Sequence, residues 1–161
     1  MSGKIVEWAE YYELRPELVA SIVYQESKGD PWAARYEPGF FDMYLSNKTA
    51  ANLSGYVPPG NLCSFETEVR LRSFSIGIMQ CMGETARWLG FRGTCLLQLC
   101  RIDIGLKFGC LYLKHLIDLK KGNEREGVAA YNGARISTDT LYDDKIYSHI
   151  ESKNYLEVID I

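Results

Sequence analysis

No block of lysine or arginine occurs in this chain, no helix face is basic, and the formal net charge is −3. Nucleic-acid binding leans on clustered cations around phosphates, so that class of partner is disfavoured. The stretch HIESKNYLEVIDI carries more acid than base, which removes a cationic membrane-disrupting tail. No apolar run approaches the roughly 18 residues that a bilayer span requires, so no stable membrane insertion is expected. Glu7, Glu10 and Glu13 interrupt MSGKIVEWAEYYELRPELV where a signal peptide needs an unbroken apolar core. Synthesis in a cytoplasm without a secretion address is the resulting expectation.

Metal-binding patterns are also missing. The five cysteines (Cys63, Cys81, Cys95, Cys100, Cys110) form no CxxC and no ligand-like spacing with His115 or His149. The glycines form no phosphate cradle after a strand. Neither a metal nor a cofactor is therefore expected. An odd number of cysteines suits reduced thiols acting as small core hydrophobes. A Cys-His nucleophile pair would need an orienting third group. His115 lies in a lysine-flanked helical stretch and His149 near an acidic tail, and neither has such a partner in view.

What is present is a globular composition, with 47% apolar and 24% charged residues. At 161 residues the chain reads as one domain, 1–161. Helical periodicity predicts helices over about 4–14 and 16–28, the second stopped by Gly29 and Pro31. Further helices are predicted at about 83–89, 95–100, 102–121, 124–132 and 138–151. In the longest, Gly105 and Gly109 share one face, as close helix packing requires. Between about 36 and 73 the pattern fails. SNKTAANLSGYVPPGN reads as loop or a small irregular insertion, with room for a small β element. Irregular stretches this long are usually functional or mobile.

The second helix poses the first chemical question. Glu26 follows Ile22 by four residues and Val23 by three, which puts a carboxylate on the apolar stripe. It also falls in the final turn, at the partially negative end of the helix dipole. Both surroundings penalise the ionised form and raise the carboxyl pKa. A glutamic acid held protonated near neutral pH can give its proton to a leaving oxygen, as glycoside cleavage requires. The bland alternative is a side chain fraying into solvent.

Downstream segments favour the chemical reading. SFSIGIMQCMGETARWLGF at 73–91, Gly109-Cys110-Leu111-Tyr112-Leu113 and AAYNGA at 129–134 follow Glu26-Ser27 in order. Together they resemble the lytic transglycosylases of the goose-type-lysozyme-like group over roughly residues 16–134. ARYEPGFF at 34–41 and QCMG at 80–83 look most like the phage and prophage branch of that family. The resemblance implies a mainly α, lysozyme-like helical domain carrying the 36–73 insertion. It implies that Glu26 is the catalytic acid and base, and that Ser27 helps hold that carboxylate in place. Ser75 and Gln80 would line a sugar groove, and Met82 would pack against a saccharide face. Tyr131 would place its hydroxyl near Glu26, while Asn132 would bind substrate or brace that corner.

Three departures from the family pattern stand out. Glu26 and Ser75 are 49 residues apart, well beyond the short connection usual in the family, and the extra length falls in the irregular stretch. Gly105 precedes Leu106 where the family usually has Asn, and Ile78 replaces the usual Leu. None of these removes the proposed acid.

Hydrolytic glycosidases generally use two carboxylates, whereas the resemblance implies a mechanism with one. Glu26 would protonate the oxygen between N-acetylmuramic acid and N-acetylglucosamine, then as carboxylate take the proton of the muramyl 6-hydroxyl. The product would be a 1,6-anhydromuramyl end. Glu37, Asp42, Glu66 and Glu68 are candidates for a second acid that positions water, although each also reads as a solvated surface charge. Glu37 stands out because it lies in the phage-type RYEP element and so joins the candidate substrate-binding residues. Two alternatives accompany the leading reading: a goose-type muramidase that hydrolyses the same bond, and a non-catalytic wall-binding or virion structural protein. The expected partner is peptidoglycan, met by a monomer. A holin-type permeabilising protein or a virion would deliver it from the host cytoplasm to the wall.

Overall fold

The computed structural model describes residues 2–53, 63–133 and 141–159. Helix α1 (Ser2–Tyr11) ends earlier than predicted, because Glu13 takes a left-handed turn and Leu14 N–H bonds back to the Ala9 carbonyl at 2.8 Å. Helix α2 (Pro16–Ser27) starts at a proline preceded by extended Arg15, which suits a first turn whose N–H groups have no helical partner. It stops where Lys28 adopts φ 54° and returns its N–H to the Tyr24 carbonyl, followed by Gly29 at φ 83°.

Strand β1 (Ala34–Tyr36) leads into a single turn, α3 (Pro38–Phe40), and a π-helical segment, Phe41–Leu45. After α4 (Phe65–Leu71) come β2 (Phe74–Ile76), β3 (Cys81–Met82) and α5 (Gly83–Trp88). A 3-10 turn, Leu96–Cys100, precedes α6 (Ile102–Leu119), and α7 (Glu124–Tyr131), α8 (Tyr142–Ser152) and α9 (Leu156–Ile159) complete the described chain. This is a mainly α, lysozyme-like architecture with one small antiparallel sheet, ordered β1-β2-β3.

The stretch read as irregular needs correction. It contains α3, the π-helical segment and α4, whose start is capped by Ser64 accepting the Thr67 N–H at 3.1 Å. The β element frames the insertion instead of lying inside it, since β1 ends where the insertion begins and β2 follows it. The pattern was hidden because α4 has only seven residues, too few to show helical periodicity. Residues 54–61 of the SNKTAANLSGYVPPGN stretch, and 138–140 of the last predicted helix, lie outside the described residues.

The main core gathers Ile5 and Ala9 of α1, Leu18, Val19, Ile22 and Val23 of α2, and Leu106, Cys110 and Leu113 of α6, with Val128, Ile146 and Val158 closing it. A second core under the sheet holds Ile76, Cys81, Ala86, Phe91, Leu96, Leu99 and Phe108. Helix α6 serves both. Its two glycines let neighbouring backbone lie directly on it: a Cβ at Gly109 would come within 2.6 Å of Met79 Cβ in the β2–β3 turn, and one at Gly105 within 2.7 Å of the Leu99 carbonyl oxygen in the 3-10 turn. Among the described residues no helix is long and apolar enough to cross a membrane.

Candidate active site

Helix α2 carries a fully buried run from Leu18 to Val23 and delivers Glu26, half-buried, in its last turn. Burial pushes the Glu26 carboxyl above its ordinary value, against a hydrogen bond from Tyr142 and the nearby positive charge of Arg35, which both lower it. Tyr142 Oη donates to Glu26 Oε1 at 2.6 Å. Tyr142 is held well above the usual phenol range by its own burial and then by the Glu26 charge. It therefore keeps its proton as Glu26 ionises and remains a donor to the carboxylate.

Behind this pair lies an aromatic column. The Tyr142 ring stacks on Tyr131 at 6.5 Å between centroids, and Tyr131 meets Tyr112 at 5.3 Å. Tyr131 is close enough to Glu26 for the carboxylate charge to act on its phenol, but its proton goes elsewhere. Its hydroxyl gives a 2.9 Å hydrogen bond to the Met79 carbonyl, because the β2–β3 turn sits against the end of α7 and a buried carbonyl there needs a donor. The hydroxyl that donates to Glu26 is that of Tyr142, a residue the sequence analysis does not single out. A signal was available: Tyr142, Ile146 and Ile150 recur every four residues, which places Tyr142 on the buried stripe of α8.

Ser27 makes its hydrogen bonds elsewhere than at the neighbouring carboxylate. Its hydroxyl donates to the Ile78 carbonyl at 2.8 Å, with the Val23 carbonyl second at 3.2 Å, and accepts the Gly29 N–H at 3.1 Å. It thus ties the end of α2 to the β2–β3 turn and holds Glu26 only through the backbone. Gln80 is likewise committed. Its amide nitrogen donates to the Ala33 and Gly77 carbonyls, both at 2.9 Å, and its backbone is left-handed at φ 49°. The amide nitrogen braces the turn against β1 and has no proton left for a sugar.

The sheet brings two candidates, Ser75 and Met82, into one row with Arg35. Arg35 pairs with Ser75, and Ser75 with Met82, across the three strands, so their side chains share a face. Ser75 Oγ contacts Met82 Sδ at 3.5 Å. The opposite face carries Ile76 and Cys81 into the second core. Glu37 accepts from Arg35 Nε at 2.6 Å, and its N–H reaches the Ser73 carbonyl at 2.9 Å. One guanidinium thus pairs with Glu37 while its charge reaches Glu26. Asn132 is exposed at the C-terminal cap of α7. The four candidates for a second acid divide: Glu68 is buried and ion-paired with Arg72 and Arg87, while Glu37, Asp42 and Glu66 are not buried. Among the described residues no cluster of His, Cys, Asp and Glu could hold a metal ion.

The arrangement can keep one carboxylic acid protonated, with a phenol ready to stabilise it once it ionises. The profile of the family described as Transglycosylase SLT domain matches residues 4–144. No curated protein and no solved structure gives a significant match.

Proposed function

Because the chain belongs to the Transglycosylase SLT domain family, and so is a lytic transglycosylase acting on peptidoglycan, we propose that Glu26 is its single acid and base. The supporting observation is a half-buried carboxyl, raised by burial, with one phenol on Oε1. Protonated Glu26 gives its proton to the β-1,4 oxygen between N-acetylmuramic acid and N-acetylglucosamine. The muramyl N-acetyl oxygen shields the cation that develops at the anomeric carbon. Glu26, now a carboxylate held by Tyr142, takes the proton of the muramyl 6-hydroxyl as that oxygen closes on the same carbon. The 1,6-anhydromuramyl end forms, no water is consumed, and Glu26 is protonated again. A group that works in both directions needs a pKa near the working pH, and burial moves this one the right way.

On this reading the sheet row of Arg35, Ser75 and Met82 lines the groove, the Arg35 charge reaches the acid, and the pairing of Arg35 with Glu37 keeps Glu37 from the task of a second base. Tyr142 is a positioning residue. The products test the scheme: digestion of purified murein is expected to yield muropeptides lighter by one water than hydrolysis gives, and reducing muramyl ends alone would transfer the chain to the hydrolytic muramidases.

Tyr142→Phe is expected to keep the fold and lower turnover about tenfold, since a hydrogen bond to a charged group is worth about 1.5–3 kcal/mol. The lost bond favoured the ionised carboxyl, so its removal raises the Glu26 pKa further. The alkaline fall in activity, where the acid loses its proton, should move to higher pH, and a profile unchanged in position would remove Tyr142 from the mechanism.

The RYEP and QCMG elements support placement in the phage or prophage branch, as an endolysin or a virion-associated lysin working as a monomer. On this reading the protein is made in the bacterial cytoplasm and reaches the wall through a holin-type partner or with the particle.

A further inference from the structure

The row of Met82, Ser75 and Arg35 runs from β3 through the central strand to β1, an edge of the sheet. Ser75 is buried, Met82 partly exposed, and the Arg35 side chain 68% exposed. The arginine therefore stands on the rim of this face and not on its floor. Hydrogen bonds hold that rim to the end of α2. The Ala33 carbonyl, two residues before Arg35, accepts from the Gly77 N–H at 2.8 Å and from the Gln80 side chain at 2.9 Å. Ser27, next to Glu26, donates to the Ile78 carbonyl of the same turn at 2.8 Å. The chain between is closed by the Asp30 N–H on the Ser27 carbonyl and the Ala33 N–H on the Asp30 carbonyl, at 3.0 and 3.3 Å.

Only part of the Arg35 guanidinium is used. Its Nε donates to Glu37 Oε1 at 2.6 Å, and among the described residues its two Nη atoms make no hydrogen bond. Glu37 thus fixes one edge of the fork and leaves the Nη edge open. Two parallel N–H groups on a planar frame match the two oxygens of a carboxylate. The exposed pair with Glu37 contributes little to stability by itself. Lys28, the cation at the end of α2, lies instead over the Tyr24 ring at 3.3 Å from its centroid.

Peptidoglycan offers a carboxylate in one part of its structure. Both sugars are N-acetylated, and the muramyl lactyl carboxyl is consumed in the amide that begins the peptide stem, so the repeating glycan is neutral. The carboxylates belong to the stem. It hangs from C3 of the muramyl ring, close to the anomeric carbon at which the bond breaks, and must leave a groove over its rim. We propose, on the reading that this row lines the glycan groove, that Arg35 binds a carboxylate of the muramyl peptide stem through its two Nη atoms and makes the enzyme selective for glycan with acidic stems. Glu37 is then a positioning residue that aims the fork.

The test uses soluble, uncross-linked murein chains, either native or with every stem carboxylate capped as its methyl amide. Total bond cleavage is followed on both, whatever the form of the new end. The wild type is expected to show a kcat/KM about five- to tenfold higher on native chains, the size of a charge-assisted pair discounted for exposure. In Arg35→Gln the ratio should fall to about one. Any effect of the Arg35 charge on Glu26 acts on both substrates alike and cancels in the ratio. Glu26→Gln should bind native chains more tightly than capped ones by a similar factor, which reads the preference where no bond is broken. Equal handling of the two chains by the wild type, or a wild-type ratio in Arg35→Gln, would overturn the proposal. Cleavage that survives in Glu26→Gln would count against the acid and leave the Arg35 ratio standing.

Discussion

Glu26→Gln is expected to abolish clearing of purified murein, with a loss of at least about 10³-fold, within the range that general acid–base groups supply. The exchange is close to isosteric. The amide oxygen can still accept from Tyr142, so the 2.6 Å contact and the tyrosine column behind it have no reason to move. Glycan binding should therefore survive while cleavage does not. Stability should change in a definite direction. The folded carboxyl lies above its ordinary value, so the fold prefers the protonated form. That contribution is complete in acid, below the unfolded value, and is lost as pH rises through the folded one. Glutamine never ionises, so the variant should melt with the wild type in acid and above it at neutral pH, by a margin that grows between the unfolded and the folded pKa and is constant beyond. Lysis within tenfold of the wild type would remove Glu26 from the chemistry. A variant less stable than wild type at neutral pH would contradict the burial argument.

That opposition between activity and stability is the physical mark by which Glu26 could be read from sequence. Its position on the apolar stripe of α2, in the last turn, depends only on local spacing, and the stop at Lys28 and Gly29 is local chemistry as well. The helices that form the frame were legible for the same reason: Pro16 begins α2, and Gly122 follows the end of α6. Partners across long separations were not. Tyr142 lies 116 residues from the carboxylate it contacts, and only the packing of α8 on α2 brings them together. Tyr131 and Tyr142 stack on each other, so a motif naming one tyrosine does not say which hydroxyl reaches the acid. Gln80 and Ser27 illustrate a different limit. Their polar ends suit a sugar groove, yet backbone carbonyls at Ala33, Gly77 and Ile78 consume their protons first, because leaving a buried carbonyl such as that of Gly77 or Ile78 unpaired is costly. The sheet register reveals that Arg35 stands beside Ser75, and only the folded side chains show that its charge is shared between Glu37 and Glu26.

Glu68→Ala is expected to give the largest loss of stability of any single change outside the main core. Glu68 read naturally as a surface charge, since it lies in an acid-rich stretch after a Ser/Asn/Gly/Pro-rich segment. It is instead 2% exposed and serves two arginines at once. Arg72 Nε donates to Oε1 at 3.0 Å, while Arg87 grips both oxygens, at 2.7 and 2.9 Å. Arg87 also donates to the Phe91 and Gly93 carbonyls, and Arg72 to Glu84 at 3.0 Å. This network joins α4 to α5 from both sides of the β hairpin. Deleting the shared carboxylate leaves two guanidinium groups, 0% and 9% exposed, without their common counter-charge. Breaking a buried pair in this way costs about 3–5 kcal/mol, which for a chain of this size lowers the melting temperature by roughly 10 °C. Glu68→Gln keeps part of the hydrogen bonding but not the charge, so it should fall between alanine and wild type. The effect on murein cleavage separates a brace from a bystander. If the network holds the hairpin that carries Ser75 and Met82 beside Glu26, turnover of the folded alanine variant at low temperature should also decline. A thermal shift below about 1 kcal/mol equivalent would instead mean that water reaches both arginines as soon as the carboxylate is gone.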